Sequence, residues 1–363
     1  MAFFVSGLQP LTNAITFGAH SAPVLRILSI FLIAACALSC TNTERPVARG
    51  FYYWKTTFDP TPKEQELLRA HTVQTLFVRL FDVGVNAAGE PVPQGKLEWR
   101  QRPSAVYRIT PVVFITQEAL RRCDSTGIDS LAARIGRLAA AQCAGLRLSG
   151  GFQADCDWSA GTRDRYFRLL RQLRRQPFLQ NKKLSVTIRL HQLRYIAQNG
   201  IPPAERGLLM AYNMGNLKDA RTRNSIVDLN ELEKYTAGLP SYPLPLDVAL
   251  PVFDWWVLFD GNRYEGLVYL RDPALFQKDR LGFARDTMLG GYRFRAGQWL
   301  RHERSDATEV DAVARHLATR LRSDSIGVVL FHLDEGNLAG YSSHDLENLY
   351  GVFGHRRARA FPR

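Results

Sequence analysis

Eight short runs of β-forming residues recur along the chain, and this recurrence limits the fold more than any other feature. They are Phe51–Lys55, Thr75–Asp82, Tyr107–Thr116, Gly151–Asp157, Leu184–Leu190, Gly207–Asn213, Leu246–Phe253 and Ile326–Leu333. Most are apolar on both faces, as strands covered by helices should be. Helical patterns follow several of them, at Pro62–His71, Ser130–Gln142, Thr162–Gln176, Asp228–Tyr235 and Asp306–Arg322. Thr61 is placed to cap the first of these, with Pro62 at its first position. Strand–helix alternation predicts an α/β protein with a parallel sheet. Eight such units within about 310 residues predict a (β/α)8 TIM-like barrel. Long excursions, Asn86–Val106 and Asp254–Glu303, make insertions after the second and seventh runs. The alternative, an open doubly wound sheet, would normally carry a phosphate-binding glycine fingerprint after its first strand; here Trp54-Lys55-Thr56-Thr57 follows.

The N-terminal segment reads as an address. Arg26 is the one charged residue up to Ser39, and the apolar run Ile27–Leu38 follows it directly. Such a run is too short for a bilayer span of about 20 residues and has the layout of a secretory signal. Ala37-Leu38-Ser39-Cys40 resembles a bacterial lipobox, as does Ile33-Ala34-Ala35-Cys36. The resemblance implies cleavage before a cysteine and its lipidation; Cys40 is favoured because the polar tether TNTERPVARG follows it. The expected organisation is a signal over residues 1–39, a lipidated tether over 40–50 and the barrel over 51–363. The expected setting is the cell envelope, with the chain anchored on a membrane, the outer membrane first.

The chain of 363 residues is 46% hydrophobic and 22% charged, which excludes disorder, collagen and coiled coil. Its net charge is +13, and loss of Arg26 with the signal leaves +12. Such an excess favours anionic surfaces, but no nucleic-acid motif is present and an export signal argues against that partner. Cys123, Cys143 and Cys156 remain after processing; a Cys123–Cys143 bridge is conceivable, and no spacing suggests zinc. The expectation is a monomer that needs neither metal nor cofactor.

Polar residues gather where the strands should finish. Side-chain alternation puts Gln153, Asp155 and Asp157 on one face of the fourth run, toward the barrel mouth. Carboxylates at i and i+2 lie roughly 6–7 Å apart, so one disfavours ionisation of the other. A carboxyl kept protonated is what a general acid needs; the competing reading is an aspartate paired with Arg79 or Arg189 to hold the barrel together. Asp82, His191, Gln192, Tyr212, Asn213, Asp254, Asp334 and Glu335 also fall at or past strand ends. Tyr53, Trp54, Trp158, Trp255 and Trp256 crowd the same rim, where sugar rings could stack. Trp158, on the face opposite Asp157, is expected beneath a helix. Arg79, Arg189, His191 and Gln192 suit an acidic or heavily hydroxylated ligand.

QADCDW, then TRDRYFRLLRQLR, then LSVTIRLHQL resembles a group of bacterial proteins with glycosidase-like barrels. More distantly, the same set is similar to the chitinase-like barrels, and Met210-Ala211-Tyr212 is similar to their M-x-Y. The chitinase pattern ends in a glutamate; two residues past Asp157 this chain has Ser159. The resemblance spans about residues 51 to 341 and implies sugar-processing ancestry.

Glycoside hydrolysis takes two carboxyl groups across the scissile bond. Asp157 is the expected acid and Asp155 its tuner; Glu335 ranks above Asp254 as the second carboxylate, with Asp334 and Asp82 behind them. Trp54, Arg79, Asp82, Gln153, Arg189, His191, Gln192, Tyr212, Asn213, Trp255, Trp256 and Asp334 are the expected substrate contacts. The expected function is a lipid-anchored glycoside hydrolase-like protein acting on a polysaccharide or cell-wall glycan. Its rivals are a glycan-binding barrel without chemistry and a membrane-surface scaffold that uses the positive charge.

Overall fold

A computed structural model of the chain describes residues 43–356. The expected signal, Cys36 and Cys40 lie outside them. Eight strands form a closed parallel ring: β1 (Val47–Tyr53), β2 (Thr75–Val85), β3 (Arg108–Ile115), β4 (Gly151–Asp155), β5 (Lys183–Arg189), β6 (Arg206–Met210), β7 (Leu246–Pro251) and β8 (Ile326–Phe331). Each pairs with its neighbours in sequence, and β8 with β1 closes the ring. The predicted α/β barrel is therefore the fold. Five strand ends retreat by two or three residues from the sequence reading, with β1, β4, β6, β7 and β8 stopping before Lys55, Asp157, Asn213, Phe253 and Leu333, and β3 and β5 stop one residue short. Alternation of polar and apolar residues outlasts the ladder there. At the other end, Val47 already pairs with Ile326, so residues 47–50 belong to the barrel and not to the tether.

The main outer helices are α1 (Pro62–Ala70), α2 (Ser125–Gln142), α3 (Arg163–Arg174), α4 (Leu229–Thr236), α5 (Ala307–Ala318) and α6 (Ser343–Gly351). Thr61 caps α1 in a reciprocal capping box with Glu64, and Pro62 opens the helix. Asp124 caps α2, which starts five residues before the expected boundary because Gly127 donates to that cap. Tyr166, Leu169, Leu170 and Leu173 line the buried face of α3, as their spacing requires. Trp158 is fully buried against this helix, stacked on Tyr166 with ring centroids 5.0 Å apart. Its indole donates to the Asn199 carbonyl at 3.0 Å. Cys123, Cys143 and Cys156 are buried free thiols, so the conceivable Cys123–Cys143 bridge is not made.

The stretch between β7 and β8 builds a second layer. Asp254–Asp260 pairs antiparallel with Arg263–Val268 and with Gln298–Arg304, and Arg280–Gly282 joins the latter. Trp256, Leu270, Phe294 and Leu300 lie in its separate core. A buried ion pair, Arg301 with Glu303 at 2.8 Å, ties this sheet to the loop after β6. Arg301 donates to the carbonyls of Leu217 and Asp219, and Ser225 donates to Glu303. No helix among the described residues is long and apolar enough to cross a membrane.

Removing the Trp158 indole empties the β4–α3 seam and leaves the Asn199 carbonyl without its donor. Trp158→Ala should cost about 3–5 kcal/mol of stability, read from the urea midpoint at unchanged slope.

Candidate functional site

Side chains from all eight strands, or from the residues just past them, line one cavity of about 370 Å³ at the C-terminal mouth of the barrel. Trp54, Asp82, Phe114, Asp155, Arg189, Met210, Phe253 and Phe331 represent β1 to β8 in turn. Register explains the convergence. Asp82 pairs with Phe114, and Phe114 with Asp155, so the three form one row across β2, β3 and β4. In a parallel ladder such a row shares one face, and here that face is the interior.

Asp155 occupies the floor. It is 2% exposed, and Thr187 on β5 donates to its Oδ1 at 2.6 Å. Burial pushes its pKa up to about 6; the charges of Asp157 and Asp82 add to the rise, while Arg189 and the Thr187 hydroxyl oppose it. Beneath it, Gln153 is fully buried, accepts from the Tyr52 hydroxyl and reaches Ser185 at 3.5 Å. Gln153 thus supports the floor and does not line the cavity.

Asp157 is turned to one side. Its Oδ1 accepts from Nε of Arg189, whose guanidinium lies 5.9 Å from the centre of the Tyr212 ring. Asp157 and His191 line an adjoining depression of about 290 Å³, which shares Arg189, Tyr212 and Asn213 with the main cavity. Partial desolvation lowers the pKa of His191, with Asp157 opposing and Arg189 adding to the effect. Asn213 reaches the wall through a left-handed backbone, φ 56°, a conformation asparagine tolerates better than most residues. Gln192 faces inward from its short helix and holds the chain: it accepts from the Arg189 amide and donates to the Trp158 carbonyl. Both ends of its amide are spent on backbone, away from either cavity.

Asp254 lines the cavity together with Asp155 and Asp82. Burial alone would raise its pKa, but the His302 hydrogen bond and the Arg271 charge outweigh burial and lower it. The contacts are 3.1 Å to His302 and 2.5 Å to Arg271. Trp255 stands beside it, its indole held by Glu303 at 2.7 Å. Trp256 points the other way, 1% exposed and stacked on His302 at 4.2 Å. Tyr53 is also buried; its hydroxyl donates to the Thr57 carbonyl and accepts from the Asp59 amide.

Glu335 departs from the sequence reading. It opens the short helix Glu335–Leu338 and turns outward to α1, where Lys63 reaches it at 2.7 Å and Thr61 at 3.1 Å. It does not line the cavity. The helix cap is Asp334, which also pairs with Lys55 at 3.1 Å and likewise stands off the cavity. Arg79 is spent on Asp82 in a two-pronged contact of 2.7 and 2.6 Å. Tyr52, Thr187, Arg271, His302 and Phe331 also belong to the site and were not singled out from sequence; Tyr269, His332 and Asn337 line it too. Thr187 carried a signal: in LSVTIRL it shares the face of Ser185 and Arg189. Among the described residues no group of three or more His, Cys, Asp or Glu is placed to hold a metal ion.

Because burial holds the pKa of Asp155 at about 6 in the folded chain, against about 3.9 ordinarily, the unfolded chain gives up this proton first as pH rises. The stability contributed by its neutral form is whole below about pH 4 and lost as pH passes about 6. Relative to Asp155→Asn, the wild type should lose about 3 kcal/mol across that window, measured by urea unfolding at several pH values.

No protein-family model matches the sequence, and no curated protein matches it. Solved structures do match the fold. The spore cortex-lytic enzyme SleL of Bacillus cereus aligns with TM-score 0.51 at 14% identity, over 88% of this chain and 76% of that one. A chitinase from Chromobacterium violaceum gives TM-score 0.51 at 13% identity, over 84% and 99%. A Group II chitinase catalytic domain from Ostrinia furnacalis, solved with penta-N-acetylchitooctaose, gives 0.51 at 12% identity, over 84% and 95%. At these identities the likeness is one of fold: this chain has the barrel architecture found in chitinase-like glycoside hydrolases.

Proposed function

We propose that the barrel-mouth cavity binds a glycan and cleaves it by carboxyl acid–base chemistry, with Asp155 as proton donor and Asp254 as the paired carboxylate. One observation carries this reading. Of the three carboxyl groups that line the cavity, Asp155 and Asp254 are pushed in opposite directions, Asp155 up to about 6 and Asp254 down. A pair separated in this way can hold one proton and one charge at the same pH. Trp54, Tyr212, Phe253, Trp255 and Phe331 give the cavity aromatic walls suited to the apolar faces of sugar rings. The fold neighbours include enzymes of glycan polymers, which supports a cell-wall or related polysaccharide. In this arrangement the roles first expected for the β4 aspartates are exchanged: Asp155 carries the proton, and Asp157 is the counter-ion that orients Arg189.

A second reading, glycan binding without cleavage, draws on one specific fact. Asp82, Asp157 and Asp254 are each already held by an arginine. Reducing-sugar release from chito-oligosaccharides and peptidoglycan fragments separates the two. Under the enzyme reading, Asp155→Asn and Asp254→Asn each lower release about 10²–10⁴-fold while calorimetric binding persists. Undiminished release in both variants would reject the assignment. Binding with no release by the wild type would favour the second reading.

The chain acts from a membrane surface through a lipid on Cys40. The support is the lipobox-like Ala37-Leu38-Ser39-Cys40 and the polar tether after it. In cells fed labelled palmitate the mature protein should carry label, and Cys40→Ser should lose it; label retained in that variant would move the anchor to Cys36 or elsewhere.

A further inference from the structure

Beside the barrel-mouth cavity lies a second one of about 340 Å³, between the sheet that follows β7 and the short helix after β8. Trp256, Leu270, Pro273, Leu275 and Phe276 form most of its wall. The two cavities share Asp254 and Arg271, so one side-chain wall separates them.

Most polar groups on that wall already have partners within the protein, although Arg271 and Asp272 remain exposed to water. Arg271 gives one nitrogen to Asp254 at 2.5 Å and another to Asn337 at 2.6 Å. Both ring nitrogens of His302 are engaged, with the Lys278 carbonyl and with Asp254, each at 3.1 Å. Asp272 accepts from the Ala274 amide. A hydroxyl-rich sugar entering here would lose its water contacts and find few replacements. An aliphatic or aromatic group would lose nothing and would cover leucine, phenylalanine and tryptophan surface. The volume of this cavity falls in the ordinary range for ligand pockets, about 300–1,000 Å³.

We infer that this second cavity takes an apolar substituent, an alkyl or acyl chain, carried by the glycan that occupies the first. The inference rests on the glycan reading and narrows it: the ligand is a substituted glycan, and Arg271 with Asp254 is the sill its substituent crosses. Each methylene buried there is worth about fourfold in affinity.

The test compares methyl chitobioside, its hexyl glycoside and its N-hexanoyl analogue by calorimetry on residues 41–363. Ala339, exposed and on the cavity rim, is the point of blockade; Ala339→Phe fills the space without touching the first cavity. At least one hexyl-bearing ligand should bind tenfold or more tightly than the methyl glycoside. Ala339→Phe should erase that gain and leave methyl glycoside affinity unchanged; Ala339→Leu, a smaller plug, should erase part of it. In parallel, anilinonaphthalene sulfonate should fluoresce with the wild type and lose that signal in Ala339→Phe. Equal affinity for all three ligands overturns the inference and leaves the glycan reading standing. Binding of none, with the dye signal intact, overturns the glycan reading and this inference with it.

Discussion

A carboxyl group at the centre of eight converging strands must be neutral or compensated, and the surroundings of Asp155 do part of each. Burial and two neighbouring carboxylates favour the protonated form, while Arg189 and the Thr187 hydroxyl limit the rise to about 6. The rest of the mouth follows from this balance. Arg189 is needed to restrain the pKa of Asp155, and Asp157 then serves as its partner. Asp82 is kept on the same row but tied to Arg79, so its charge bears on Asp155 from a fixed position. Gln153 and Tyr52 complete a hydrogen-bonded layer below.

The stretch between β7 and β8 supplies what the ring cannot. It brings Arg271 and His302 to Asp254 and so lowers the pKa of that cavity carboxylate. The Arg301–Glu303 pair is buried in the same layer, 3% and 1% exposed, and anchors both Trp255 and the loop after β6. A pair so enclosed is costly to break from one side. It therefore makes a firm hinge between the added sheet and the barrel, and holds an aromatic wall of the cavity at a set angle.

The barrel was legible because its signal is periodic: eight apolar runs, with helical spacing such as Tyr166, Leu169, Leu170 and Leu173 between them. The inward face of β4 was legible for the same reason. Strand ends were less so, because alternation in Gly151–Asp157 continues two residues past the last ladder contact. Which aspartate would be paired could not be read from β4 at all, since Arg189 belongs to the next strand and its reach is a matter of side-chain geometry. Glu335 was misread for a related cause. Its place after β8 is correct, but the first residue of a short helix can face either way, and Lys63 on α1 draws it outward. Arg271 and His302 sit in a stretch whose short antiparallel strands carry no long period, so nothing in their spacing marked them.

The role proposed for Asp155 is to hold the proton at a glycan site. Carbon-13 NMR of the aspartate carboxyls, assigned by comparison with Asp155→Asn, tests it most directly. One carboxyl, absent in that variant, should titrate near pH 6 and shift its midpoint when a chito-oligosaccharide is added. An Asp155 midpoint in the ordinary range below 4.5, unmoved by any glycan, would contradict it.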